Sequence, residues 1–242
     1  TFNWYTDVNY GGTSHTNVSL SNFADSNPSS SISISPSYVR SLSFNTSSGD
    51  LNQITSISNL GSYKVLDSLD IHNQSLSSLD LSGNVYLSKL DCSDNILNVL
   101  NLPTTAYLTY LSCSLNQLNN IDVTQNTNLQ SLYCSYNSLS SSLDLSNNTQ
   151  LSIVDCSNNR IPYINLNNLT NLTELYCNKN EIVSASFSSL NNLEILECQN
   201  NRFSVINLSG SCPLLTRFVC SDQFNALANV QLGEKPNLTY FR

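Results

Sequence analysis

Of the 242 residues, only 11% are Asp, Glu, Lys or Arg, against a usual ~25%, and 17 acidic against nine basic side chains leave a net charge of −8. That balance excludes a nucleic-acid partner, whose affinity comes largely from Lys and Arg on phosphates, and argues against docking on an anionic membrane surface. No apolar run reaches the ~18 residues a spanning helix needs, and no signal h-region is readable at the N-terminus, so membrane insertion is not expected. Ser, Asn and Thr fill the polar positions instead, and there is no methionine, not even an initiator. The expectation is a processed or excised piece of a longer protein, extracellular or on a cell surface, with a virion part as the alternative. Eight N-x-S/T sequons occur, but a repeat rich in Asn and Thr generates them automatically, so they leave glycosylation undecided.

Along the chain, residues 1–38 lack any period and are expected to form an N-terminal β cap. Within them TFNWYTDVNYGGTSH, residues 1–15, has aromatic alternation broken at Gly11-Gly12 and predicts a hairpin. It carries the only tryptophan, Trp4, and one of two histidines, His15. SSSISISPS, 29–37, is either a linker or an edge strand. Residues 39–65 hold a degenerate first unit with Val39, Leu42, Phe44, Leu51, Ile54, Ile57 and Leu60 as its apolar positions.

From Leu66 the period is explicit. Units start at Leu66, Leu87, Leu108, Leu129, Leu151, Leu172, Leu193 and Leu215, each reading L-x-x-L-x-C-x-x-N-x-L-x-x-L-x-L in outline. The second unit supplies Leu87, Leu90, Cys92, Asn95, Leu97, Leu100 and Leu102; the third supplies Leu108, Leu111, Cys113, Asn116, Leu118, Ile121 and Val123. Alternation such as Leu90-Asp91-Cys92 is the signature of a short strand with one buried face. A second alternation, Leu79-Asp80-Leu81 or Leu143-Asp144-Leu145, marks another extended segment on the far side of each coil. Units of 21 or 22 residues leave no room for a helix between the two. One coil cannot bury its own apolar side chains, so stacking must supply the core.

These units, over roughly 66–232, resemble the leucine-rich repeat, in the short form found in bacterial secreted and cell-surface proteins. The resemblance implies an α/β-class leucine-rich-repeat solenoid that is in practice almost all β. Its expected form is a right-handed parallel β superhelix with a concave strand ladder and the non-repeat β cap. The repeat region is read as 39–232 and residues 233–242, with LTYF at 238–241, as a closing strand or the place where a longer array was cut.

Cys92, Cys113, Cys134, Cys156, Cys177, Cys198 and Cys220 hold the third inward slot of their strands. Strands ~4.8 Å apart line the thiols up along the solenoid axis, a geometry that cannot converge four sulfurs on a zinc ion. Packing is the expected role; a disulfide between neighbouring rungs is the alternative, since that spacing lies inside the permitted range. Cys212, in GSCP, sits off the ladder and is expected nearer the surface. Asn95, Asn116, Asn137, Asn159, Asn180 and Asn201 form a second ladder, their amides expected to satisfy backbone groups where each strand turns. Gln74 and Gln223 hold the equivalent places at the two ends.

No nucleophile elbow, zinc-protease helix, phosphate loop or paired Cys-His arrangement is present, so no catalytic residue and no cofactor is assigned. His72 lies on the outward side of the first strand with no nucleophile in reach. Outward aspartates (Asp70, Asp91, Asp155, with Asp94, and Asp80, Asp122, Asp144 on the convex edge) could supply two or three of the six to eight oxygens calcium needs, water the rest; they are read as a solvated acidic face, with calcium the alternative, and no metal site is assigned. The functional signal is instead aromatic and apolar: Tyr110, Leu115, Tyr133, Tyr136, Ile153 and Tyr176 (with Ile195 beyond) project from the concave face. They are either a binding patch, tyrosine being a favoured hot-spot residue, or a cross-strand ladder that only stabilises the sheet. The acidic flank of Asp91, Asp94, Glu174 and Glu197 favours a partner with basic character. The function expected is a non-enzymatic recognition or adhesion module binding a protein, or else a glycan, through the concave face. A virion component, such as a decoration or host-attachment domain, and a ligand-free structural spacer are the alternatives. Oligomeric state is left open.

Overall fold

The structure, a computed structural model, describes residues 16–21, 39–45, 54–57 and 60–242. The hairpin expected in 1–15 and the linker or edge strand expected in 29–37 lie outside these residues. Each unit contributes a three-residue strand whose middle residue is buried and whose neighbours face out, as in Ser131–Tyr133, Ile153–Asp155, Glu174–Tyr176 and Ile195–Glu197. The alternation L-x-C enforces this, because successive side chains of a strand point to opposite faces.

Among the described residues, eleven strands, eight of them of this three-residue kind, form one parallel sheet in chain order, from Thr16–Ser21 and Val39–Asn45 through Ser68–Asp70 and Lys89–Asp91 to Arg217–Val219 and Tyr240–Phe241. Register is strict: Leu69 pairs with Leu90, Leu90 with Leu111, and Leu111 with Leu132. A one-residue slip would turn every leucine outward, so the buried row itself pins the ladder. The strand Thr16–Ser21 falls in the segment expected as a cap, and it is the first rung of the same sheet, parallel to Val39–Asn45. Tyr240–Phe241 pairs with Arg217–Val219 as the last rung.

On the opposite side, Ser78–Asp80 pairs with Val99–Asn101, Leu143–Asp144 with Ile164–Asn165, and Val205–Asn207 with Asn229–Gln231. Asp80 and Asp144 end two of these short segments, and Asp122 holds the same place in its own coil. Asp80, Asp122 and Asp144 each accept the backbone N–H two residues on, from Ser82, Thr124 and Ser146, as Asx turns do. Ser hydroxyls and backbone N–H groups on Asp80 and Asp144 hold both carboxyls below the ordinary value. The one helical element among the described residues is a 3-10 turn at Leu60–Ser62. The fold is thus the almost all-β leucine-rich-repeat solenoid that the period implies.

The coil interior is a stack of leucines, with Leu66, Leu87, Leu108, Leu129, Leu151, Leu172, Leu193 and Leu215 all buried, one per turn. The seven ladder cysteines are buried and free. Burial pushes the Cys113 thiol up to about 12 and that of Cys134 well above its ordinary value. Cys212 corrects the sequence reading: it is buried, with no exposed surface. GSCP looks like a turn inserted off the ladder. However, Cys212 stands three residues before Leu215, the same offset at which Asn84, Asn126, Asn148, Leu169 and Leu190 precede their leucines and are themselves buried.

The ladder asparagines bridge successive coils. Asn137 Nδ2 donates to the carbonyls of Cys113, Cys134 and Ser135, while its Oδ1 accepts the N–H of Leu118. Asn201 repeats the pattern with Cys177, Cys198 and Gln199 as acceptors and Ile182 N–H as donor. Gln74 and Gln223 do the same work at the ends, Gln74 accepting from Ile54 N–H and Gln223 from Phe203 N–H. A further asparagine series was not read from the sequence. Asn84, Asn126 and Asn148 donate to carbonyls of the preceding coil on the convex side, for example Asn148 to Val123 and Asn126. Its signal was present as apolar-x-x-Asn (Leu81 to Asn84, Val123 to Asn126, Leu145 to Asn148) three residues before each first leucine.

Candidate binding surface

Two outward rows run across the concave sheet, one on each side of the buried leucines. In the first, Tyr110 pairs with Ser131 and Ser131 with Ile153; in the second, Ser112 pairs with Tyr133 and Asp155 with both Tyr133 and Tyr176. The large side chains therefore alternate between rows on successive rungs, Tyr110, Tyr133, Ile153, Tyr176, with Ser112, Ser131, Asp155 and Glu174 filling the other places. All four are half-buried. Tyr110 and Tyr133 touch, their ring centroids 5.7 Å apart and tilted by 48°, within reach of an attractive aromatic pair. The Tyr176 hydroxyl donates to Glu174 Oε2 at 2.9 Å. Burial, reinforced by that hydrogen bond, pushes Tyr176 up to about 12; burial also raises Tyr110 and Tyr133. These hydroxyls stay protonated over any ordinary pH range and remain donors.

Leu115 and Tyr136 occupy a different place. They sit two residues beyond the buried Cys113 and Cys134, where the chain turns away from the sheet, and are 49% and 54% exposed. Successive corners are stacked by backbone hydrogen bonds, Leu115 N–H to Ser135 and Asn116 N–H to Tyr136. Both residues have positive φ, 56° for Leu115 and 52° for Tyr136. The same left-handed corner recurs at Asn73, Asp94, Asn158, Lys179, Asn200 and Asp222. Asn and Asp tolerate that conformation, whereas a bulky side chain is disfavoured there by roughly 1–2 kcal/mol. The six expected patch residues thus form two groups: a zigzag on the strands and an apolar pair at the corner, about 10 Å further along the chain.

Three of the four acidic flank residues are tied to neighbours, and Asp94 is exposed. Asp91 Oδ1 accepts the Ser93 N–H and hydroxyl at 3.0 and 2.6 Å, Glu174 accepts from Tyr176, and Glu197 Oε1 pairs with Arg217 Nε at 2.7 Å. Arg217 also lies over the Tyr240 ring, 4.4 Å from its centroid. Sequence reading missed two surface features. Tyr86 and Tyr107, each one residue before a first leucine, are exposed and pair at 5.4 Å on the edge where the chain enters the sheet. A shallow depression of about 360 Å³, lined by Asn159, Lys179, Glu181, Arg202 and Phe224, lies beyond the corner row. Arg202 Nη2 and Glu181 Oε2 form an ion pair there at 2.9 Å. No helix among the described residues is long and apolar enough to cross a membrane.

No family model matches the sequence, and no curated protein does. Solved structures do. The functional domain of InlJ from Listeria monocytogenes, which includes a cysteine ladder, is 26% identical with a TM-score of 0.68 over 84% of this chain. YopM from Yersinia enterocolitica is 25% identical with a TM-score of 0.56, also over 84%. The ectodomain of the Arabidopsis thaliana receptor kinase GASSHO1/SCHENGEN3, in complex with CASPARIAN STRIP INTEGRITY FACTOR 2, has a TM-score of 0.65 over 83% at 21% identity, a likeness of fold alone. This chain spans 47%, 54% and 26% of those three chains respectively. All three are leucine-rich-repeat solenoids, and the short period and cysteine ladder are similar to the bacterial form.

Proposed function

We propose that this leucine-rich-repeat solenoid is a non-enzymatic recognition module of a secreted or surface-exposed protein, and that it binds a protein partner through its concave face. The single observation that carries this reading is the Leu115–Tyr136 corner. Folding needs a residue that accepts positive φ there, and other units use Asn, Asp or Lys. Two adjacent units instead hold large apolar side chains, half in water, at a conformational cost that the fold does not require. Such strain at an exposed site is a mark of function rather than of packing. The neighbouring tyrosines add area at little entropy cost and protonated hydroxyls as donors. With Asp91, Asp94, Glu174 and Glu197 flanking, the complementary partner surface is apolar at its centre and basic at its rim. The plant receptor ectodomain, solved with a bound factor, supports ligand capture as a use of this scaffold.

The test screens the immobilised chain against arrays of purified surface and secreted proteins and of glycans. The expected result is a protein binder whose affinity falls at least tenfold in Leu115→Asn/Tyr136→Asn. Binding should be unchanged in Val99→Asn/Val205→Asn, two exposed convex-strand positions. A binder lost only by the convex variant, or binding to glycans alone, would overturn the reading.

A further inference from the structure

At the N-terminal end of the same concave sheet three side chains converge, of which Asp91 alone also flanks the recognition surface. His72 Nδ1 lies 2.5 Å from Asp70 Oδ1, and one ligand atom from each of Asp70, His72 and Asp91 falls within 4.8 Å of the others. All three residues are half-buried and lie on described strands or the turn that follows.

The ladder's register supplies an independent observation. Asp70 and Asp91 are direct partners across two parallel strands, and like charges placed opposite one another destabilise a sheet. Elsewhere in this row the sequence avoids that arrangement: Asp91 faces Ser112, Asp155 lies between Tyr133 and Tyr176, and Glu197 faces Tyr176 and Val219. In the other outward row Lys89 lies between Ser68 and Tyr110, and Glu174 between Ile153 and Ile195. The Asp70–Asp91 pair is therefore the one directly opposed like-charge pair in these two rows from Ser68 to Val219. Beside it stands the only histidine among the described residues, in a row that otherwise carries Ser93, Ser114, Ser135, Ser157, Asn178, Gln199 and Ser221.

We propose that Asp70, His72 and Asp91 form a binding site for a divalent transition-metal cation of the zinc or manganese class. One imidazole nitrogen with two carboxylates is a donor set that suits such ions, while calcium requires six to eight oxygens that this site does not offer. Binding replaces the proton shared by His72 and Asp70 with the cation. Their contact opens until each donor stands ~2.0–2.2 Å from the metal, and water completes the shell on the open concave side. The two carboxylates are already oriented, Asp91 by the Ser93 N–H and hydroxyl and Asp70 by the Ser43 hydroxyl at 3.5 Å, as outer-shell donors orient metal ligands. The cation also cancels the repulsion between the opposed aspartates, which gives it a structural as well as a binding role.

Titration calorimetry of the intact chain with ZnCl2, with CaCl2 in parallel, tests this together with the melting temperature in each salt. The expected result is saturable uptake of one Zn²⁺ per chain with a raised melting temperature, and no matching effect of Ca²⁺. Because the three residues are half-exposed, His72→Gln and Asp91→Asn should fold normally by circular dichroism. Each should weaken Zn²⁺ at least tenfold, while Asp155→Asn, a concave aspartate remote from the site, should bind as the unsubstituted chain does. Absence of 1:1 uptake, uptake equal in His72→Gln, or equal response to Ca²⁺ would overturn the proposal. Buried cysteines that capture zinc on unfolding are recognised by uptake that survives both substitutions.

Discussion

Asn201 and Asn137 show what one side chain does in a repeat. Each closes a corner that would otherwise leave two cysteine carbonyls and one N–H unpaired in two successive coils. Removing such an amide exposes buried backbone groups to the desolvation penalty of ~1–3 kcal/mol. Denaturant unfolding of Asn137→Ala should show a loss in that range, and Asn201→Ala, whose side chain is fully buried, should fall at its upper end. An unchanged midpoint in either variant would contradict the ladder assignment. These roles are legible from sequence because the period assigns each Asn its slot. The positive φ of Leu115 and Tyr136 is not. Leucine and tyrosine carry no signal for a left-handed backbone, and only the chain geometry imposed by neighbouring coils forces it. His72 shows the same limit: Asp70 is its neighbour in sequence, but only the register brings Asp91 beside them.

On the scale of the element, the cysteine ladder is a packing row with a chemical consequence. Burial raises these thiols, so the folded chain holds its protons at pH values where the unfolded chain loses them. The folded pKa lies above the unfolded one. Stability from this source is therefore complete below the ordinary thiol value of 9.0 and declines as pH rises from there towards the folded value, about 12 for Cys113. Each cysteine contributes a slope of roughly 1.4 kcal/mol per pH unit in that window. Melting temperature should fall steeply above pH 9, and less steeply in Cys113→Val/Cys134→Val; a flat profile to pH 11 would contradict the burial. Cys212 was misplaced from sequence because Gly210 and Pro213 punctuate its surroundings like a loop. In the folded chain the spacing to Leu215 outweighs that local signal. The tyrosine zigzag was legible as outward-facing, but its diagonal alternation depends on register, which single units do not display.

Over the whole molecule, coils contact their neighbours and the core is one continuous leucine stack. Stability is then approximately a sum over coils and their interfaces. Removing one complete unit, residues 108–128, should leave a β-rich chain by circular dichroism with a smaller denaturant m-value. Removing 108–118 alone should abolish cooperative unfolding, because it breaks the register. The same one-dimensionality lets two units carry a costly corner without consequence for the rest. In Leu115→Asn/Tyr136→Asn, relief of about 1–2 kcal/mol of left-handed strain per residue opposes the loss of about 1 kcal/mol from each half-buried side chain. Equilibrium denaturation of this double variant is the most direct measurement. A binding patch predicts a chain at least as stable as the unsubstituted one. A loss of more than about 1.5 kcal/mol, comparable to uncovering half-buried apolar side chains, would mean that Leu115 and Tyr136 are there to hold the solenoid together.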